Sequence, residues 1–369
     1  MKIGIPKEIK DQEGRVGLTP AAVGQLVGSG HEVTLETGGG SGSGFTDAEY
    51  HAAGATLGTA EQAWDRELVI KVKEPLPEEY AYLRQQMLFT FLHLAGVPKS
   101  LTNTLLERGT TGIAYETVED DRGGLPLLKP MSAIAGNMAA LIGAYYLARP
   151  HGGKGVQLGR VQATRHGRVL VIGDGIVGYH AASSAHGLGA EVVMLGLDAA
   201  KGAAYRQALG EGFTFLPSSP NEITRQLPET DLLIGAVLRR GAKADYVVGA
   251  DQIRRLRPGS VVVDVSIDQG GCIATSHPTS HSHPIYVVDG VTHYCVTNMP
   301  GAFPRTATLA LTDAVLPYAL KLADHGLDAL RQNHGFAKGL NTCQGQLTLQ
   351  PAAAALDLLD RYQPVDAVF

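Results

Sequence analysis

At 369 residues, 44% of them hydrophobic and 18% charged, the chain has the composition of a soluble globular protein, long enough for two domains with a core in each. A formal net charge of −5 gives no electrostatic reason to expect nucleic acid or an anionic membrane, and no run of about eighteen uncharged apolar residues suggests a membrane span. Met1 leads straight into KIGIP without a signal-peptide pattern, and Cys272, Cys295 and Cys343 are few and widely spaced, so reduced thiols in a cytoplasmic protein are expected.

In chain order, residues 2–5 read as a short strand, and Thr19 followed by Pro20 reads as a helix start, a hydroxyl cap before proline at the first helical position. Residues 31–36 alternate as a strand. The run TGGGSGSG at 37–44 lacks the G-K-[ST] ending of a phosphate loop and is expected to be a flexible surface loop. Thr46 with Glu49 forms a capping box for the next helix. Residues 68–72 and 87–92 read as two buried strands, each running into a polar residue, Lys73 and His93. Strand and helix thus alternate through the first 128 residues, as in a small α/β domain. Residues 130–149 read as a helix linking two domains, with Ser132 as its cap.

The stretch 168–196, RVLVIGDGIVGYHAASSAHGLGAEVVMLG, carries the strongest signal. A β-branched apolar run suits a strand buried on both faces. Gly173, Gly175 and Gly178 then form G-x-G-x-x-G as the chain turns into a helix opened by Ile176 and Val177 and closed near Gly189. A second strand follows. The first glycine allows the tight turn, the second lets backbone approach a pyrophosphate, and the third lets helix pack on strand. The helix N-terminus offers N–H groups and partial positive charge to the phosphates. Two positions depart from the pattern: Asp174 puts a carboxylate within the loop, and the strand end where an acid should bond the ribose is Gly196. Asp198, two residues on, is the candidate substitute. No arginine marks a 2′-phosphate site at that strand end, so NAD rather than NADP is expected.

Residues 231–238, 260–268 and 293–297 read as further apolar strands, the last closing the sheet, and from 306 a helical tail is expected to pack back on the first domain. The fold class is therefore α/β with two domains, a Rossmann-type doubly wound parallel sheet inserted in a discontinuous α/β substrate domain. The boundaries read as 1–128, 129–305 and 306–369.

In such a sheet ligands lie beyond the carboxyl ends of the strands. That rule singles out Ala236, Val237 and Leu238, Ile267 and Asp268, and Asn298 and Met299 as residues bordering a cofactor. Asp264 reads as structural, within its strand. In the first domain, Arg15 offers a guanidinium able to hold a carboxylate by two bonds. His93 is of the residue type that gives and takes protons near neutral pH. Lys71 and Lys73 share a strand face, so periodicity does not separate them. His277, His281 and His283 crowd one loop without the spacing of a zinc site, and no metal is expected.

With these residues in hand, the chain resembles the alanine dehydrogenase/pyridine nucleotide transhydrogenase family. The resemblance rests on KIGIPKEIKDQEGRVGLTP, IKVKEP, LFTFLHLAG, GIAYETVE, LPLLKPMSAIAG, DLLIGAVL, VVVDVSIDQGGC and HYCVTNMPGAFPRTAT, nearly the full length. It implies an NAD-dependent dehydrogenase interconverting L-alanine with pyruvate and ammonium, assembled as a hexamer. By that resemblance Arg15 and Lys73 would hold the substrate carboxylate and keto oxygen. His93 would be the acid/base, Asp268 would assist the proton transfers, and Met131 and Ser132 would line the site. Departures lie on the nucleotide side: Asn137 where the family usually has arginine, GRVQATR from Gly159 where it usually has G-G-V-P-G-V, and the Asp174 and Gly196 already named. Two rival readings are the NAD(H)-binding subunit of a transhydrogenase and a non-catalytic NAD-binding regulator.

Overall fold

Six short strands organise the N-terminal part of the computed structural model: β1 (Lys2–Ile5), β2 (Glu32–Glu36), β3 (Thr56–Gly58), β4 (Leu68–Ile70), β5 (Met87–Thr90) and β6 (Thr111–Ala114). The structure describes residues 1–237 and 246–368, the side chain of Gln269 excepted. Leu68, Val69 and Ile70 are wholly inaccessible, as strands covered on both faces require. Helix α1 (Pro20–Gly28) begins as its sequence demands, the Thr19 side chain accepting the N–H of Ala22 and Pro20 sitting where no amide donor is needed. Thr46 and Glu49 form the reciprocal capping box. Helix α2 (Lys129–Leu147) starts earlier than the sequence suggests. Lys129 already donates its N–H to the Leu125 carbonyl, so Ser132 lies inside the first turn and does not cap it.

The second part of the chain adds β7 (Gly159–Val161), β8 (Thr164–His166), β9 (Arg168–Ile172), α3 (Ile176–Leu188), β10 (Glu191–Gly196), α4 (Ala199–Leu209), β11 (Phe213–Pro217), β12 (Leu232–Gly235), β13 (Val261–Asp264), β14 (Ile285–Val288) and β15 (Val291–Tyr294). Seven of these strands form one sheet in the order β11-β10-β9-β12-β13-β15-β14. All its pairings are parallel except β14 with β15. The chain winds outward from β9 through β10 and β11, then returns to β12 on the other side. The strand order therefore reverses between β9 and β12, the point at which such folds bind ligands. Along β9, Val169 and Val171 enter one apolar cluster while Leu170 and Ile172 enter another, so both faces are covered. The strand read at 293–297 is β15, Val291–Tyr294, the last of this sheet in chain order; it pairs with an antiparallel edge strand that was not foreseen, β14, whose Ile285 and Val287 are exposed. The strands read at 231–238 and 260–268 stop at Gly235 and Asp264. Residues 159–166 form a separate hairpin of β7 and β8.

The C-terminal return begins with α5 (Pro304–His325) but is not only helical. It contributes β16 (Leu340–Cys343) and β17 (Gln346–Leu347), β16 running antiparallel to β6. The first sheet thus reads β17-β16-β6-β5-β4-β1-β2-β3. Two compact units result: Met1–Met131 with Gly301–Phe369, and Ser132–Pro300. The TGGGSGSG run proves not to be a flexible surface loop. Ser43 is 1% exposed and donates to the Gly14 and Pro304 carbonyls, and it shares a hydrogen bond with Thr308 of α5. A Cβ on Gly42 would come within 2.6 Å of the Gly14 backbone. The small residues are there for close approach to α5 and the 14–15 turn rather than for mobility.

Candidate active site

In the first unit, charged side chains gather just past the carboxyl ends of β4 and β5. β4 ends at Ile70, which leaves Lys71 and Lys73 beyond the ladder and under different constraints. Lys71 is fully buried, its Nζ 2.7 Å from Glu79 and 3.2 Å from Glu8. Burial would lower its ammonium pKa, but the two carboxylates outweigh that and hold it raised. Glu8 also accepts the N–H groups of Val72 and Lys73, which fixes the backbone that presents Lys73. The Lys73 side chain is 7% exposed; its Nζ pairs with Glu74 Oε2 at 3.6 Å, beyond hydrogen-bond reach. An ammonium nearly out of water with its donors unspent is an anion-holding group. Lys71 is thus held by the protein itself, and Lys73 is the lysine whose donors remain available to a ligand.

His93 follows β5 with φ +48° and ψ +37°, a left-handed conformation unusual for a side chain with a Cβ. Two groups hold it there. Glu116 accepts its backbone N–H at 2.6 Å, and the Phe91 ring stacks parallel on the imidazole with centroids 5.5 Å apart. Glu116 Oε1 also lies 3.8 Å from Nδ1, and the side chain stays 31% exposed. Arg15 is gripped by Glu13 through Nε and Nη2, while Nη1 donates to the Met131 sulfur at 3.2 Å. Met131 therefore touches Arg15. Glu13, Glu74, Glu116 and Phe91 orient the expected residues and were not among them. The signal for Glu13 and Glu116 was their place inside the motif-bearing blocks EGR and AYETV.

Burial alone would raise the Glu74 carboxyl. The ammonium groups of Lys73 and Lys10, the Lys10 hydrogen bond and the charge of His93 outweigh it and hold the pKa at about 2, against 4.5 for the ordinary group. A folded pKa below the unfolded one contributes stability that is present above pH 4.5 and is lost as pH falls toward 2. Glu74→Gln is expected to lower stability at neutral pH by about 2–3 kcal/mol and to flatten this part of the acid limb. Urea unfolding at neutral pH and near the lower limit checks it; parallel losses in both proteins would show that the pairing carries no such stability.

In the second unit, the glycine motif has the geometry a dinucleotide needs. Gly173 sits at φ +114°, and a Cβ there would lie 2.3 Å from the Ala236 carbonyl, which places the loop against the end of β12 at the switch point. A Cβ on Gly178 would lie 1.9 Å from the Gly173 carbonyl, whereas one on Gly175 would meet nothing within 4 Å. The helix side is closed and the outer side is open. Gly175 precedes α3 without any side-chain cap, leaving the first N–H groups of Ile176, Val177 and Gly178 for phosphate oxygens. The residues present fit a dinucleotide. Ala236 and Ile267 are buried beside this end of the sheet, and Leu238 lies outside the described residues. Asp264 is inaccessible and accepts the N–H groups of Ser266, Cys272 and Ile273, a structural anchor whose carboxyl burial raises. Asp268, by contrast, is exposed on the turn after β13. Asn298 is 7% exposed and its carbonyl accepts from His281; Met299 is 3% exposed, within the apolar core. Asn137 accepts a hydrogen bond from Ser184 of α3, and Ser132 is partly exposed on α2. No cluster of metal-ligating side chains occurs among the described residues.

Comparison with known families matches residues 4–135 to the alanine dehydrogenase/PNT N-terminal domain and residues 139–350 to the C-terminal domain. The chain belongs to the alanine dehydrogenase/PNT family. The alanine dehydrogenase of Bacillus subtilis is 49% identical, over 99% of this chain and 97% of its own. That of Mycobacterium tuberculosis H37Rv is 48% identical, over 96% and 97%. A solved L-alanine dehydrogenase superposes with a TM-score of 0.92 at 48% identity, covering 97% of this chain and all of the other. A transhydrogenase from Sinorhizobium meliloti shares the fold, with a TM-score of 0.80 at 24% identity over 94% of this chain and all of its own. Members of this family use a nicotinamide cofactor, which the open cradle above Gly175 accommodates. No helix among the described residues is long and apolar enough to cross a membrane.

Proposed function

We propose that this chain catalyses the reversible, NAD-dependent oxidative deamination of L-alanine: L-alanine, NAD⁺ and water give pyruvate, ammonium, NADH and a proton. The observation that carries the reading is the pair formed by Lys73, its ammonium nearly buried with donors unspent, and His93, held left-handed and part-exposed by Glu116 and Phe91. Arg15 and Lys73 fix the carboxylate and, in the reverse direction, the keto oxygen of pyruvate, so that Cα is presented in one orientation. Bound NAD⁺ supplies the hydride acceptor. His93 takes a proton from the water that attacks the resulting iminium carbon and returns it to the departing amine. Asp268 is the second proton-handling group, and Met131 and Ser132 line the substrate.

NAD rather than NADP, a homo-hexamer and a cytoplasmic location complete the proposal, the hexamer on the resemblance alone and the location on the few, widely spaced cysteines. The test is the loss of NADH absorbance with purified protein. Oxidation that requires both pyruvate and ammonium is expected, with NADPH a poor substitute. Nucleotide binding without substrate-dependent turnover would instead assign a non-catalytic NAD-binding regulator.

A further inference from the structure

In a dinucleotide-binding fold the adenosine ribose is bonded by an acid at the carboxyl end of the second strand. That strand is β10, and it ends in Gly196. The space a side chain would use there is already taken. A Cβ on Gly196 would lie 2.6 Å from both Cβ and Oδ2 of Asp174, and 2.6 Å from the Phe215 ring. Asp174 is the middle residue of the G-D-G turn, yet its carboxylate is laid across the end of β10. Oδ2 accepts the N–H groups of Leu197 and Asp198, each at 2.8 Å, and the Tyr205 hydroxyl of α4 donates to the Asp174 carbonyl at 3.1 Å. These bonds use one carboxylate oxygen; Oδ1 has no hydrogen bond among the described residues. Asp198, the residue the sequence offered as substitute, has both carboxylate oxygens engaged. Its Oδ1 accepts the N–H groups of Ala200 and Lys201 as the N-cap of α4, and its Oδ2 pairs with the Lys201 ammonium at 3.8 Å.

We propose that Asp174 is the ribose-recognising acid of this chain. Its carboxylate arrives from the glycine loop instead of the strand end, holds the 2′- and 3′-hydroxyls of the adenosine ribose, and disfavours a 2′-phosphate by charge. Gly196 is then the consequence: the strand end must be bare for the carboxylate to lie over it. Leu197, beside that carboxylate and 88% exposed, offers apolar surface for a purine. The inference rests on the NAD reading and names the group that enforces it.

The test is equilibrium titration of the full-length protein with NADH and, separately, with NADPH, read by nucleotide fluorescence, for the native chain and for Asp174→Asn. Asparagine keeps an oxygen to accept the two N–H groups but carries no charge. The native chain is expected to bind NADH more tightly than NADPH. The variant is expected to lose about tenfold in NADH affinity while binding NADPH as well or better. An unchanged NADH-to-NADPH ratio, or an equal loss for both, would reduce Asp174 to a structural anchor and overturn the proposal. A native chain that binds NADPH and not NADH would overturn the coenzyme reading itself, and the variant need not be consulted.

Discussion

Replacing His93 by asparagine is expected to lower the rate of NADH oxidation with pyruvate and ammonium by about 10²–10⁴-fold, the usual contribution of a positioned acid/base, while leaving NADH affinity unchanged. The choice of asparagine follows from the backbone. His93 sits at φ +48°, where an ordinary side chain costs about 1–2 kcal/mol and asparagine is tolerated better than most. His93→Ala removes the imidazole too, but it also places alanine in the left-handed region, and it is expected to unfold at lower denaturant than His93→Asn. Both variants lose the Phe91 stacking partner, so the difference between them isolates the backbone cost. Affinity for the nucleotide is expected to depend on the Gly173–Gly175–Gly178 loop of the other unit and provides the control. If His93→Asn turned over at the native rate, the proton carrier would have to be sought elsewhere, with Asp268 the next group to replace.

What the sequence made legible follows the strength of local physics. β9 and α3 are readable because four consecutive aliphatic residues, Val169, Leu170, Val171 and Ile172, precede a helix bounded by glycines at both ends. Nothing outside the segment is needed to recognise it. β16 is four residues, LNTC, and exists because β6 pairs with it from more than two hundred positions away; no local pattern announces such a strand. β14 is an edge strand with alternating exposure, too short and too polar in its surroundings to stand out. At the site, residue types were visible and directions were not. Asp174 looked misplaced in a phosphate-facing loop because its rotamer, which carries the carboxylate to β10, is set by two backbone donors contributed by Leu197 and Asp198. Asp264 and Asp268 look alike in VVVDVSIDQ, but the strand stops at the first, which is sealed among amides, and a turn exposes the second.

Lys71 and Lys73 give the sharpest contrast, since two lysines two positions apart are expected to fail in opposite ways. Lys71→Met leaves Glu8 and Glu79 facing each other's field in a site with almost no solvent, and is expected to destabilise the fold by about 3–5 kcal/mol, the cost of an uncompensated buried charge. Burial already raises the Glu8 carboxyl against the pull of Lys71. Without the lysine Glu8 takes up a proton more readily still, so the loss is expected to be largest at neutral pH and to shrink as the solution is acidified. Lys73→Met removes an ammonium that makes no hydrogen bond among the described residues, only an ion pair at 3.6 Å with Glu74, and leaves Glu74 its Lys10 partner. Its stability cost is expected to stay near 1 kcal/mol, while kcat/KM for pyruvate falls about a hundredfold or more because the carbonyl is no longer held in register. Urea unfolding and steady-state kinetics on the two variants separate the roles. A Lys73→Met protein that was badly destabilised yet turned over pyruvate normally would exchange the two assignments, and with them the substrate site.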